Sequence, residues 1–134
     1  MVSCSQFFEA DLSHLEDLRA FLCTQIEGLL SGNKVGYLDL AVEEVFVNIC
    51  TYAYKVPPGR VEVTFTDDLD RVSVQFCDDG VPFDPLAHVE PDVRGSMDDR
   101  PQGGLGILLV RRVMDEVHYS REKGYNRLVL SLRK

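Results

Sequence analysis

Two seven-residue stretches, RVEVTFT at 60–66 and RVSVQFC at 71–77, alternate apolar and polar side chains without a slip. Successive side chains on a strand point to opposite faces, so each stretch forms a ribbon with one apolar side. Val61, Val63 and Phe65 share a face in the first, and Val72, Val74 and Phe76 share one in the second. The acidic turn Asp67-Asp68-Leu69-Asp70 joins them as a hairpin. A lone hairpin is marginal in water, so this one must be extended into a wider sheet and covered on its apolar side.

The cover lies upstream. Residues 3–10 read as a first strand. Ser13 followed by Glu16 reads as a capping box that starts a helix. Leu15, Leu18, Leu22, Ile26 and Leu29 recur on one face of it, and Ser31-Gly32 stops it. A second helix runs from about Val35 to Tyr54, with Leu38, Val42, Val45 and Ile49 as its stripe. Pro57-Pro58-Gly59 ends it, because proline cannot continue the hydrogen-bond ladder.

Downstream, residues 79–102 carry Pro82, Pro85, Pro91, Pro101, Gly80 and Gly95 with no period. A stretch this long inside a small domain reads as a functional loop or lid. Gly103-Gly104-Leu105-Gly106 opens a short apolar helix, about 105–115. The chain closes on a second hairpin, VHYSRE then RLVLSLR, with Gly124 in the turn and Leu128, Leu130 and Leu132 pointing one way. The order β-α-α-β-β-loop-α-β-β predicts an α+β, two-layer sandwich. Its sheet is mostly antiparallel, with helices on one face, in a single domain over 1–134.

Charge narrows the function. Fourteen Lys and Arg against 22 Asp and Glu give a formal net charge of −8, which argues against a general nucleic-acid binder. No apolar run is long enough for a membrane span, and the N-terminus has no basic segment before an apolar core. The expectation is a cytoplasmic protein with neither a membrane nor a nucleic acid as partner. Cys4, Cys23, Cys50 and Cys77 match no metal or redox spacing and read as free thiols, with Cys23 and Cys50 in helix cores. The three histidines are scattered, with no chelating helical pair.

Three places can carry chemistry. Glu44 and Asn48 are four apart on the second helix and share a face, whereas Glu43 falls roughly 140° from Asn48. A carboxylate there can take a proton, and an amide oxygen can ligate a hard cation such as Mg²⁺. The bland alternative is a surface pair. Asp78 sits where an alternating strand runs out, able to accept from an exocyclic amine, and Gly80 lets backbone approach a flat ligand. The alternative is an ordinary Asp-Gly-Pro turn. Gly103, Gly104, Leu105 and Gly106 lead into a helix whose N–H groups and dipole suit phosphate. The alternative is a hinge before a buried helix.

Taken in order, Glu-x-x-x-Asn on a helix, Asp-x-Gly after a strand, a long loop and Gly-Gly-Leu-Gly opening a helix resemble the signature of the Bergerat-fold (histidine-kinase-like) ATPases. The stretches LAVEEVFVNICTYAY, DDGVPFDP and GGLGILLVRRVMDEVHYSREKGYNRLVLSLRK look most like the anti-sigma-factor serine/threonine kinases, small bacterial switch kinases of transcription. The resemblance implies ATP and Mg²⁺ as cofactors. It implies Glu44 as general base toward a substrate serine or threonine, Asn48 as the Mg²⁺ ligand, and Asp78 as acceptor from the adenine amine. Gly80 would form the pocket floor, Gly103, Gly104, Leu105 and Gly106 would cradle the phosphates, and residues 84–102 would form the ATP lid. It further implies an anti-sigma-factor antagonist as substrate and a sigma factor or other regulator as second partner, and it allows a homodimer. The chain departs from the pattern at Tyr52, where many members carry histidine, and at Pro82, where the wider superfamily has a second glycine. Arg111 and Arg112 read as surface charge. A second reading of the same motifs is a nucleotide-dependent protein-binding module without turnover, and a third is an interaction domain with a decayed pocket.

Overall fold

The computed structural model describes residues 1–53, 59–88 and 104–134. Five strands form one sheet: β1 (Val2–Glu9), β2 (Arg60–Asp67), β3 (Arg71–Asp78), β4 (Glu116–Glu122) and β5 (Tyr125–Arg133). Their spatial order is β1-β2-β3-β5-β4, and every pairing is antiparallel. Among the described residues three α-helices, α1 (Leu15–Ile26), α2 (Lys34–Asn48) and α3 (Gly104–Val113), supply the second layer.

Register places the apolar faces side by side. Val63 pairs with Phe76 and Phe65 with Val74; Val74 in turn pairs with Leu130, and Phe76 with Leu128. These side chains are buried together with Leu18 and Leu22 of α1, Val42, Val45 and Phe46 of α2, and Val110 of α3. Truncating Phe76 to alanine in so closed a core costs about 3–5 kcal/mol. The other face of the sheet is mixed, with exposed Phe7 under the Arg60 guanidinium beside pairs of hydroxyls. The Ser5 and Thr64 hydroxyls meet at 2.7 Å, and those of Ser3 and Thr66 at 3.0 Å. The β4–β5 turn puts Lys123 (φ 52°) and Gly124 (φ 85°) in the left-handed region, the pair of conformations a tight twisted hairpin needs.

Several local expectations are corrected. Ser13 does not cap α1, because a 3₁₀ turn at Leu12–His14 comes first. Asp11 Oδ1 accepts from the Ser13 N–H at 2.8 Å, and Glu16 accepts instead from Arg19 Nη1 at 2.7 Å. α1 stops at Ile26 rather than Ser31, since Gly28 already takes a positive φ of 78°. Cys23 is exposed, one position past the Leu18–Leu22–Ile26 stripe; Cys50 is half-buried, its thiol pushed up to about 12 by burial and then by the charge of Asp11. α2 ends at Asn48 and continues as a π-helical turn, Ile49–Ala53. α3 closes at Val113, and Asp115 Oδ2 then accepts from the Arg133 N–H at 2.7 Å. Part of the expected loop is ordered as a 3₁₀ turn, Pro85–His88. Residues 89–102 of the expected lid, with Tyr54 and Gly103, lie outside the described residues.

Candidate functional site

A cavity of about 20 Å³ lies between the helix layer and the sheet. Val45, Asn48 and Ile49 line it from α2 and its π turn, Phe76 and Asp78 from β3, and Ile107 from α3; Tyr119, Asn126 and Leu128 supply the far wall. Phe83 and Pro85 close the remaining side. Of the residues singled out for chemistry, Asn48 and Asp78 meet around this space; α3 reaches it through Ile107, and neither Glu44 nor Gly106 lines it.

Each polar member is placed by a local rule. Asp78 holds the inward face at the last position of β3, which the Val72-Val74-Phe76 alternation dictates. It is 4% exposed, and Asn48 is 5% exposed. Burial pushes the Asp78 carboxyl up, while hydrogen bonds from Asn126 and the Gly80 N–H and the charge of Arg121 pull it down and Asp79 adds to the rise. Asp78 Oδ1 accepts from the Gly80 N–H at 2.9 Å and from Asn126 Nδ2 at 3.1 Å. Among the described residues neither Oδ2 nor the Asn48 amide forms a hydrogen bond. Gly80 is buried behind Asp78 and does not itself line the cavity; its carbonyl accepts from Arg121 Nη1 at 2.8 Å.

The two glutamates separate. Glu43 turns toward α1 and pairs with Arg19 Nη2 at 3.0 Å, in a cluster that also holds Asp39 and Glu16. Glu44 turns toward α3. A Cβ added at Gly106 would lie 2.0 Å from Glu44 Oε2, so that glycine is what admits the carboxylate. Burial, and then the neighbouring Glu43 charge, push the Glu44 carboxyl up. Gly104 and Leu105 form the first turn of α3. Arg111 and Arg112 lie exposed in its last turn, where cations suit the helix dipole.

Tyr52, carried by the π turn, stacks on Phe83 with ring centroids 5.1 Å apart and an interplanar angle of 19°. The space enclosed is of the size that holds one water. A purine is larger than this space, so its admission requires part of the lining to move. Among the described residues no group of three His, Cys, Asp or Glu side chains is placed to hold a metal.

Sequence reasoning missed Asn126, Tyr119 and Phe83. A signal existed for Asn126: the inward row Leu128, Leu130, Leu132, carried two residues back, lands on it.

Fold and cavity define a class, a small α+β sandwich that keeps a mostly apolar cavity, with Asn48, Asp78, Tyr119 and Asn126 as its polar members, between its helices and its sheet. The chain belongs to the histidine kinase-like ATPase domain family, matched over residues 8–132. Within it, the relatives bear out the anti-sigma-factor serine/threonine kinase group. Serine/threonine-protein kinase BtrW of Bordetella bronchiseptica is 32% identical over 95 residues, covering 70% of this chain and 67% of that protein. Serine-protein kinase RsbW of Bacillus cereus is 29% identical over 103 residues, covering 69% of this chain and 64% of that one, so the match spans just under two thirds of that relative. The mycobacterial sensor histidine kinase MprB superposes with a TM-score of 0.55 over 97% of both chains at 16% identity, a likeness of fold.

Proposed function

We propose that the protein is an ATP-dependent serine/threonine kinase that acts as an anti-sigma factor in a partner-switching circuit. Its substrate is an anti-sigma-factor antagonist, and its second partner is a sigma factor. The observation that carries this reading is the convergence of Asn48, Asp78 and the start of α3 on one cavity, with the Glu44 carboxylate held against Gly106. The donor set suits a magnesium nucleotide: the side chains of Asp78 and Asn48 are both buried, and among the described residues Asp78 Oδ2 and the Asn48 amide form no hydrogen bond; glycine backbone stands at a helix start. Bound Mg²⁺·ATP supplies the phosphoryl group and the charge that neutralises it.

The chain's own residues do the rest. Asp78 accepts from the exocyclic amine of the base. Asn48 presents its amide oxygen to the metal. The Gly103-Gly104-Leu105-Gly106 segment offers backbone N–H groups to the phosphates. Glu44 would take the proton from the substrate hydroxyl as its oxygen bonds to the γ-phosphorus and the bond from that phosphorus to ADP, the leaving group, breaks; its raised basicity suits that task. Among the described residues no helix is long and apolar enough to cross a membrane; action in the cytoplasm belongs to this proposal.

The test is incubation with labelled ATP and candidate antagonist proteins. The unaltered chain transfers label to a serine or threonine, and Glu44→Gln lowers transfer at least about a hundredfold while still binding ATP. A Glu44→Gln protein of normal activity removes the base from this scheme. The Tyr52–Phe83 stack, at the position where many members have histidine, favours a second reading: a module that grips partners according to nucleotide state. That reading gives ATP-dependent partner binding and no labelled product.

A further inference from the structure

Asn126 stands on the inward face at the start of β5 and uses every hydrogen-bonding site of its amide. Nδ2 donates to Asp78 Oδ1 at 3.1 Å and to the Val81 carbonyl at 2.8 Å. Oδ1 accepts from the Tyr119 hydroxyl at 2.5 Å and from the Phe83 N–H at 3.3 Å. The orientation of the amide is not arbitrary. Val81 offers only a carbonyl and Phe83 only an N–H, so a flipped amide faces donor with donor and acceptor with acceptor. Two backbone groups and a tyrosine thus fix which end of Asn126 points at Asp78.

That choice propagates. Asp78 Oδ1 is filled by two N–H donors, from Gly80 and Asn126, which pins the carboxylate. Oδ2, which meets no donor among the described residues, remains a pure acceptor. A pinned acceptor that faces purine position 6 suits an amine there and opposes a carbonyl, which sets two acceptors against each other; the N1–H of a 6-oxopurine lies one position away, and a carboxylate held in place cannot shift to meet it. We infer that Asn126, held by Tyr119, is the positioning residue that sets base selectivity, making the pocket take 6-aminopurine nucleotides and refuse 6-oxopurine ones. The inference rests on the nucleotide-binding reading above and adds to it the residue that decides which purine enters.

The experiment compares ATP with ITP, which has a carbonyl and an N1–H where ATP has an amine and a bare N1, by calorimetric titration in the presence of Mg²⁺. The unaltered chain is expected to bind ATP at least tenfold tighter than ITP (order of magnitude). Asn126→Leu is expected to weaken ATP roughly ten- to a hundredfold, leave ITP nearly unchanged and so bring the ratio toward one. Tyr119→Phe, which deletes one hydroxyl and keeps the ring, is expected to narrow the ratio by a smaller factor, about threefold. It decides the matter alone if Asn126→Leu does not fold. Loss of ATP and ITP by the same factor in the variants makes Asn126 a packing residue and overturns the inference, as does an unaltered chain that binds both equally. An unaltered chain that binds neither nucleotide overturns the functional reading itself.

Discussion

Glu43 and Glu44 are neighbours in the chain and opposites in environment. Helical geometry sends the first to the Arg19 cluster and the second to the Gly106 contact. That division was legible from spacing alone. The pinning of Asp78 was not, since Asn126 is 48 positions away and only strand register brings them together. The division also has a kinetic consequence. Glu44 acts as a base only when ionised, and burial, reinforced by the Glu43 charge, raises the pH at which that happens. Removing the like charge lowers it. Glu43→Gln is expected to move the acid limb of the kcat–pH profile to lower pH with little loss of plateau rate. A limb that stays in place assigns it to another group.

At the scale of elements, the strands were the most legible part because a period of two tolerates no slip. The helix ends were the least legible. Ser13-x-x-Glu16 has the form of a capping box, yet Asp11 two residues earlier starts a 3₁₀ turn that absorbs it. The widening of α2 into a π turn leaves no mark in the apolar stripe, although such turns gather at functional sites and this one carries Tyr52 to Phe83. The contact between α2 and α3 yields a variant that separates folding from function. Gly106→Ala puts a methyl where Glu44 Oε2 now lies, and a carboxylate at the end of a flexible side chain is displaced more easily than backbone. Alanine in place of a helical glycine returns about 0.5–1 kcal/mol. Thermal stability is therefore expected to hold or rise slightly, while phosphoryl transfer falls by about tenfold or more, about 1.4 kcal/mol of barrier. Transfer at the unaltered rate separates the Glu44 position from catalysis.

The whole molecule is a sheet whose two halves, β1-β2-β3 and β5-β4, are joined through α3 and the segment before it. The α+β class followed from the order of periods in the sequence, but the insertion of β5 between β3 and β4 did not, because hairpin patterns specify partners within a pair and not neighbours between pairs. A ligand in the cavity touches α2, β3, β5 and α3 at once, so its binding free energy adds to the stability of all of them. At a hundredfold excess over Kd that is about 2.7 kcal/mol. For a chain of 134 residues, with an unfolding entropy of about 2 cal/mol/K per residue, it amounts to a rise in Tm of about 10 °C. Asp78→Asn is expected to abolish the rise without lowering the Tm of the nucleotide-free protein, since an amide carbonyl can accept the same two bonds to Oδ1. The sign of the pH dependence checks the same residue. A carboxyl whose pKa is raised by burial binds its proton more tightly when folded, so it lowers stability as pH climbs through and above the ordinary aspartate range. The asparagine variant lacks that slope, and its Tm should overtake that of the parent as pH is raised from 3 toward neutrality (~7). If instead the variant melts lower at every pH, Asp78 is a structural acceptor first, and the loss of nucleotide binding no longer identifies it as the group that reads the base.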